Sequence, residues 1–364
     1  MATDQHHIDD DKFMTRALNL AEKGVGKTHP NPAVGAVVVV DGDVVGEGWH
    51  EGPGEPHAEV VALEAAGSRA RGGTLYVTLE PCASQGRTPP CTNAILRAGI
   101  WRVVYASSDP NPKMAGGGAV LEAHGVEVRA NVLEKEADAI NKTFFHFYRL
   151  DRSYITAKAA ISLDGKLATH TKHSQWISNE ASRKHAHRLR ANSHAILIGA
   201  GTLEYDNPSL TVRDAPLSGE PPLRCVLCLE TPMFQSGYNI ADAAAPSRLY
   251  VRSENASAKD WRDAGVDVVC ASSLIEILRH LADEGRWSVL LEGGGTLHAA
   301  FLEARLTDEL ALYQAPILIG GKNSVNFWHG EGVARVSDAP RLEDVKRRML
   351  DGDQLIQGRV VYPE

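Results

Sequence analysis

The sequence predicts two consecutive α/β domains, and three observations carry that expectation. Its 364 residues exceed what a single hydrophobic core ordinarily fills, so the chain should divide. β-Branched runs alternate with segments of helical period along its length, the pattern of sheets covered on both faces. One such alternation is complete by about residue 150, and a second starts at "SYITAKAAISLDGKLA". The boundary therefore falls near "YRLDRSY" (Tyr148 to Tyr154), giving expected domains 1–150 and 151–364.

In the first half, "DDKFMTRALNLAEKG" places Phe13, Ala17, Leu20 and Ala21 at helical spacing and stops on Gly24. "AVGAVVVVDGDVVGEG" gives two β-branched runs around Asp41-Gly42, a hairpin signal. A helix over Glu59 to Ala66, a strand "TLYVTLEP" from Thr74 and a short helix "CTNAILRAG" (Cys91 to Gly99) follow. The strand "RVVYASS", the helix "GGAVLEAHG" and the strand "VEVRA" complete the half.

In the second half, a strand runs into the Asp164-Gly165 turn, and "HAILIGAGTL" (His194 to Leu203) reads as a strand followed by a loop. "LRCVLCLE", "RLYVRS" and "VDVVCA" are further strands, and "SLIEILRHLADEG" is a helix with Leu274, Ile277, Leu278 and Leu281 on one face. "WSVLLEGGGTLHAAFLEARL" reads as strand, glycine turn and helix, and "DELALYQAPILIGG" as a long strand. The terminal "VKRRMLDGDQLIQGRVVYPE" holds Asp351-Gly352 between two runs that would add edge strands.

The bulk properties narrow the function. Hydrophobic residues make up 43% and charged residues 23%, the balance of a globular chain. No apolar run approaches the roughly 20 residues that span a bilayer, and "MATDQHHIDDDKF" lacks the apolar core of a signal peptide, so the expected location is the cytosol, with no membrane partner. A net charge of -8 without a long Lys/Arg cluster argues against nucleic acid as a partner. Five cysteines in so long a chain do not make a disulfide framework, so clustered cysteines are candidates for ligands or nucleophiles.

The first such cluster begins in "EPHAEVVALEAAG". A lone His-x-Glu at a helix start is common, but "TLEPCASQGRTPPC" sets Cys82 just past a strand and Cys91 at the opening of the next helix. His57, Cys82 and Cys91 supply three tetrahedral zinc ligands and leave the fourth position for water, the arrangement of a catalytic rather than a structural site. Glu59, two residues from His57, does not share its direction on a helix, so it is suited to proton transfer beside the metal rather than to ligation. The helix N-terminus at Cys91 favours thiolate. His-x-Glu followed by Pro-Cys and a later Cys is the zinc deaminase signature. Eight residues separate the cysteines where nucleobase deaminases usually have two, and the insert "ASQGRTPP" carries Arg87 and Thr88, suited to holding a phosphate. The alternative, buried thiols and an incidental helix-start histidine, requires four residue types to coincide in the right contexts.

In the second half no Gly-x-Gly-x-x-Gly occurs, so a Rossmann dinucleotide unit is unsupported. "LLEGGGTLHAAF" offers instead a strand ending in Glu292, three glycines and a helix beginning near Thr296, an anion site suited to dinucleotide phosphates. A tight strand-to-helix turn with no ligand explains the same stretch equally well.

"THPNPAVGAVVV", "GEPHAEVVAL", "VTLEPC", "GRTPPC" and "DPNP" together resemble the deaminase half of the bifunctional riboflavin-biosynthesis deaminase/reductase family. "KAAISLDGKLA", "SQWIS", "GAGTLEYDNPSLTVR" and "EGGGTL" are similar to its reductase half, so the resemblance covers nearly the whole chain after the first ten residues. It implies a cytidine-deaminase-like three-layer α/β/α domain followed by a dihydrofolate-reductase-like α/β domain. The implied reactions are zinc-dependent deamination of a diaminopyrimidine ribotide, then NADPH-dependent reduction of the ribosyl chain of the deaminated uracil ribotide to a ribityl chain. Hydride would arrive at the anomeric carbon of the ring-opened ribosylamine, with Asp206 or a water as proton donor.

By the same resemblance His57, Cys82 and Cys91 bind zinc and Glu59 is the proton shuttle. Asn31 would hold the pyrimidine, and His50, Arg87 and Thr88 would meet the ribose and its phosphate. Ala160, Trp176, Thr202, Asp206, Gly294, Gly295 and Thr296 would line the NADPH site. Ser174, Arg190, Leu210, Arg213 and Glu292 would line the reductase's substrate site, the arginines suiting a phosphate, with Lys158 reaching the sugar. The family pattern also implies a homo-oligomer. Ala83-Ser84 stand where the family usually has Ser-His, which leaves a second reading, a working reductase beside a weakened or repurposed deaminase. A third, an N-terminal zinc-containing nucleic-acid-binding module, runs against the negative charge and Glu59.

Several residues receive no chemical role. His6 and His7 are expected to be solvated in an acidic tail. Cys225 and Cys228 are three apart on a strand and so face opposite sides, two buried thiols rather than a redox pair. Cys270 is likewise assigned to the core. "AGGGAV" (Ala115 to Val120) reads as a phosphate turn or equally as a flexible entry to a helix.

Overall fold

The computed structural model describes residues 2–86, 89–217 and 219–363, with side chains from Asp10 onward, so His6 and His7 lie outside the described side chains. The chain separates into two compact units, Met1–Leu150 and Asp151–Glu364.

The first unit runs α1 (Ala2–Ala21), β1 (Gly35–Val40), β2 (Asp43–Trp49), α2 (Ala58–Ala66), β3 (Thr74–Leu79), α3 (Cys91–Ala98), β4 (Arg102–Ser107), α4 (Gly117–Ala123), β5 (Glu127–Arg129), α5 (Glu134–Ile140) and α6 (Lys142–Leu150). Its sheet has the order β2-β1-β3-β4-β5, with β1 antiparallel to both neighbours and β3, β4 and β5 parallel. Asp41 and Gly42 both take positive φ, 51° and 85°, which is the turn that a two-residue hairpin requires.

One face of the sheet buries Val37, Val39, Tyr76 and Val104 against Phe13, Met14 and Ala17 of α1. The other face carries α2 at unusually close range. A Cβ on Gly46 would stand 2.2 Å from Ala62 O, and one on Gly48 would stand 2.7 Å from Ala58 O. Glycine at these two β2 positions thus lets the helix backbone rest directly on the strand, and it fixes where the amino end of α2 emerges.

The second unit runs β6 (Tyr154–Ile161), β7 (Lys166–Ala168), α7 (Glu180–Ala191), β8 (Ala195–Gly199), α8 (Ala200–Asp206), β9 (Leu223–Glu230), β10 (Ser247–Ser253), α9 (Ser257–Asp263), β11 (Asp267–Cys270), α10 (Leu274–Asp283), β12 (Ser288–Leu291), α11 (Gly295–Glu303), β13 (Glu309–Gln314), β14 (Val325–Asn326), β15 (Arg341–Leu350) and β16 (Asp353–Val361). Nine strands form one sheet in the order β11-β10-β9-β8-β12-β6-β13-β16-β15. Seven are parallel from β11 to β13, and β16 and β15 close the sheet antiparallel. One face packs Leu197, Tyr250 and Leu291 against Ile277, Leu281 and Phe301 of α10 and α11. The opposite face packs Ile196, Val226 and Leu249 against Leu203 and Trp261 of α8 and α9.

Several features differ from the expectation. The stretch after Gly199 is the helix α8 rather than a loop. The helices α5, α6 and α7 carried no recognised signal; α7 buries only Ser182 and Ala186, too little to show as an apolar stripe. Of the two terminal strands β15 is the edge, while β16 is paired on both sides. Cys270 is exposed rather than in the core, because β11 is the outermost strand at the other end of the sheet. Cys225 and Cys228 do bury on opposite faces, one in each core cluster. Among the described residues no helix is long and apolar enough to cross a membrane.

Candidate active sites

His57 is the N-cap residue of α2, with extended φ and ψ of -69° and 156°, and Cys91 is the first residue of α3. Cys82 lies between them, three residues beyond the end of β3. These placements turn three side chains towards one point. Nδ1 of His57 is 3.2 Å from Cys91 Sγ and 3.7 Å from Cys82 Sγ, and all three ligand atoms lie within 4.8 Å of one another. Tetrahedral ligands around one zinc ion stand about 3.6 Å apart given ordinary Zn–S and Zn–N lengths, so this donor set fits zinc.

The electrostatics agree with that fit. The Cys91 thiol beside Cys82, and then His57, pull Cys82 down to about 4, whereas the same sulfur contact and burial push Cys91 upward. The Cys91 amide at the start of α3 also donates to Cys82 Sγ at 3.2 Å. One of the two sulfurs is thus set up as thiolate, the form a metal takes. Glu59 is 4% exposed, and burial raises its pKa, so its carboxyl is held closer to the protonated state than a surface glutamate.

The pocket beside this cluster is lined by Asn31, His50, Glu59, Asp109, Asn111 and Tyr148, among others. His50 is buried and its pKa is lowered by that burial, so its ring is neutral. Its Nδ1 donates to Pro56 O at 3.1 Å, which leaves Nε2 to accept from Asn31 Nδ2 at 2.9 Å. His50 therefore holds the Asn31 amide in one orientation, with Oδ1 left for a ligand. Arg87 and Thr88 lie outside the described residues.

Asp109, Asn111, Phe144 and Tyr148 are pocket residues to which the sequence reading gave no role. "DPNP" holds the first two, and the i, i+4 spacing of Phe144 and Tyr148 on α6 was the available signal for the others. Burial raises the Asp109 carboxyl to about 6, with the charges of Glu80 and Cys82 adding to the rise.

In the second unit a cleft of about 760 Å³ opens where the carboxyl ends of β8, β9, β10 and β12 meet the amino ends of α10 and α11, within the range of small-molecule sites. Ser174, Thr202, Asp206, Glu292, Gly294, Gly295 and Thr296 line it. The three glycines do different things. A Cβ on Gly293 would meet Leu297 at 2.6 Å, and one on Gly295 would meet Asn326 O at 2.1 Å, so packing alone demands those two. Gly294 alone faces open space, with only Thr202 Oγ1 at 3.9 Å. That open backbone before α11 fits a dinucleotide's phosphates, and the cleft's length fits the rest.

Burial raises Asp206, and Ser174 opposes the rise through a hydrogen bond, so this acid is biased towards holding a proton. Glu292 is 8% exposed at its side chain and accepts from Arg190 Nε at 2.6 Å and Nη2 at 2.9 Å, with Lys158 Nζ 3.6 Å away. Burial pushes this carboxyl up, but Arg190 and Lys158 more than offset it and hold it at about 2. The remaining Nη1 of Arg190 donates to Thr211 O, so this guanidinium is committed to the protein.

Arg213 is exposed and donates its backbone N–H to His187 Nδ1. Leu210 is 3% exposed with its side chain in the core beside Trp261, which leaves its backbone as the part a ligand could meet. Ala160 is half-buried on β6, and Trp176 is 68% exposed with the Arg183 guanidinium 4.8 Å above its ring; neither lines the cleft.

Both units match known proteins. Residues 153–356 match the family model "RibD C-terminal domain", and residues 7–107 match "Cytidine and deoxycytidylate deaminase zinc-binding region". The chain is 43% identical to the riboflavin biosynthesis protein RibD of Bacillus amyloliquefaciens, over 95% of this chain and 99% of that one. It superimposes on Acinetobacter baumannii RibD with a TM-score of 0.85 at 33% identity, over 98% of this chain and 99% of that one. A solved Thermotoga maritima diaminohydroxyphosphoribosylaminopyrimidine deaminase/5-amino-6-(5-phosphoribosylamino)uracil reductase gives 0.82 at 35% identity, over 98% of this chain and 100% of that one. With the zinc-ligand geometry in one unit and the glycine-turn cleft in the other, these matches settle the family: the chain belongs to the RibD riboflavin biosynthesis proteins, whose members carry a cytidine-deaminase-like domain and a dihydrofolate-reductase-like domain in one polypeptide.

Proposed function

We propose that the first unit hydrolytically removes an amino group from a diaminopyrimidine ribotide and that the second reduces the ribosyl chain of the resulting uracil ribotide with NADPH. The observation that carries this reading is the convergence of His57 Nδ1, Cys82 Sγ and Cys91 Sγ beside the buried Glu59. Those three atoms would hold a zinc ion, which when bound would supply the activation of water at neutral pH. Asn31, oriented by His50, presents its carbonyl to the pyrimidine edge. Glu59 takes the proton from the attacking water and returns it to the departing nitrogen. The bond from carbon to the exocyclic nitrogen breaks, a carbonyl replaces it and ammonia leaves. Arg87 and Thr88 would hold the ribose phosphate.

In the second unit NADPH, when bound, would supply the hydride. Gly294, Thr202 and Thr296 would hold its phosphates, and Lys158 and Glu292 would position the substrate. Asp206 supplies the proton that balances the hydride. Ser174, the Leu210 backbone and Arg213 would frame the sugar and its phosphate, with Arg190 holding Glu292 in place rather than meeting the phosphate, and Ala160 and Trp176 stand outside the cleft wall. The setting proposed with it is a cytoplasmic homo-oligomer acting on a small molecule, without nucleic acid or membrane, as the family resemblance implies.

The test is a Glu59→Gln protein. Ammonia release should fall by about 10²- to 10⁴-fold with zinc content unchanged, while NADPH oxidation on supplied deaminated ribotide continues. Full ammonia release by the variant would remove Glu59 from the reaction, and zinc-loaded wild type that releases none would favour the reading with a repurposed deaminase.

A further inference from the structure

The glycine run "AGGGAV" looks like a phosphate turn, yet in the fold its amides already have an anion. Glu80 follows β3 and precedes Pro81 and Cys82, and it is 9% exposed. Among the described residues no cation lies within ion-pairing distance of it. A buried carboxylate without a counter-ion needs hydrogen-bond donors, and Glu80 takes three from one segment. Its Oε1 accepts from Gly116 N at 3.1 Å and Gly118 N at 3.0 Å, and its Oε2 accepts from Asp109 N at 3.2 Å.

The glycines make this possible. Gly116 takes a φ of 94°, and a Cβ on Gly117 would lie 1.7 Å from Pro81 O, so the backbone can close on the Pro81-Cys82 peptide only without side chains. The same segment carries Asp109, Asn111 and Met114, which line the pocket together with Glu80 itself, His57 and Glu59. A second tie, Ala83 N to Met114 O at 3.1 Å, joins the chain just after Cys82 to that wall.

We infer that Glu80 is a positioning residue of the deaminase, an internal anion that clamps the 109–118 wall to the strand end carrying Cys82 and so sets the width of the substrate pocket. It acts through Asp109 and Asn111, not on the metal. The clamp rests on the deaminase reading for its consequence, but its geometry can be read independently.

The experiment uses the full-length zinc-loaded protein and a Glu80→Gln variant, whose carboxamide must point an N–H at one of the three amides. Hydrogen exchange at Gly116 and Gly118 should accelerate at least tenfold. The KM for the diaminopyrimidine ribotide should rise between tenfold and a hundredfold, with kcat within threefold and zinc still stoichiometric, the split that lost positioning of the bound substrate produces. Glu80→Ala should show the larger KM effect where it folds. An unchanged KM, or activity that is lost only in proportion to zinc, overturns the inference. A wild-type protein that releases no ammonia would instead sink the deaminase reading, while the exchange rates still report on the clamp.

Discussion

Replacing Glu292 by glutamine perturbs the centre of the reductase cleft without changing its shape. The carboxylate sits at the end of β12, bidentate to Arg190 and 3.6 Å from Lys158, and its pKa falls from 4.5 to about 2 on folding. At about 1.4 kcal/mol per pKa unit, that shift corresponds to roughly 3 kcal/mol of stability at neutral pH. A carboxyl with a depressed folded pKa stabilises above its unfolded value, and that contribution is lost as pH falls towards the folded value. The loss window here runs from about pH 4.5 down to about pH 2. Glutamine also strands Arg190 and Lys158 without a counter-charge, a cost of the same order. Urea denaturation followed by hydrogen exchange of the β12 amides reports on this unit by itself. The variant should be destabilised by about 3 kcal/mol at pH 7, and the difference should shrink to about half by pH 3. A destabilisation below about 1 kcal/mol at pH 7, or one that is the same at pH 7 and pH 3, would refute the electrostatic reasoning.

Three further outcomes are expected. Cys91→Ser or His57→Ala should reduce bound zinc from one per chain to a trace and abolish ammonia release, yet leave NADPH oxidation on supplied deaminated ribotide within twofold, since the two units have separate cores. Gly295→Ala should cost about 1–3 kcal/mol in thermal or urea unfolding because its Cβ meets Asn326 O; Gly294→Ala should leave stability within about 0.5 kcal/mol while weakening NADPH binding at least tenfold in a fluorescence titration. In the native zinc-loaded protein Ellman's reagent should titrate Cys270 rapidly and Cys270→Ser should remove that phase, since burial pushes Cys225 and Cys228 up to about 12 and they should react only after unfolding.

The local chemistry was legible where a few residues dictate it. Asp41-Gly42 specifies its hairpin because both positions need positive φ. The candidate metal ligands were legible because His57 and Cys91 open helices and Cys82 follows a strand. What escaped did so for physical reasons. The helix α7 packs small residues and so lacks an apolar stripe, and α8 is only seven residues with Gly201 inside it. Cys270 looked like core by residue type, but burial at a strand end depends on whether a neighbouring strand covers it, and none covers β11 on its outer side.

By itself the sequence determined which residues could grip a metal, where most of the strands lie, and that a glycine turn follows Glu292. Only the tertiary structure decided which charges are spent on the protein itself. Arg190 faces Glu292 rather than open solvent, His50 spends its ring on Asn31 and Pro56, and the "AGGGAV" amides close on Glu80. The reason is that a residue's chemistry is local, whereas its partners come from distant strands and loops, 102 positions away for Arg190 and Glu292, brought together only by sheet order and helix packing.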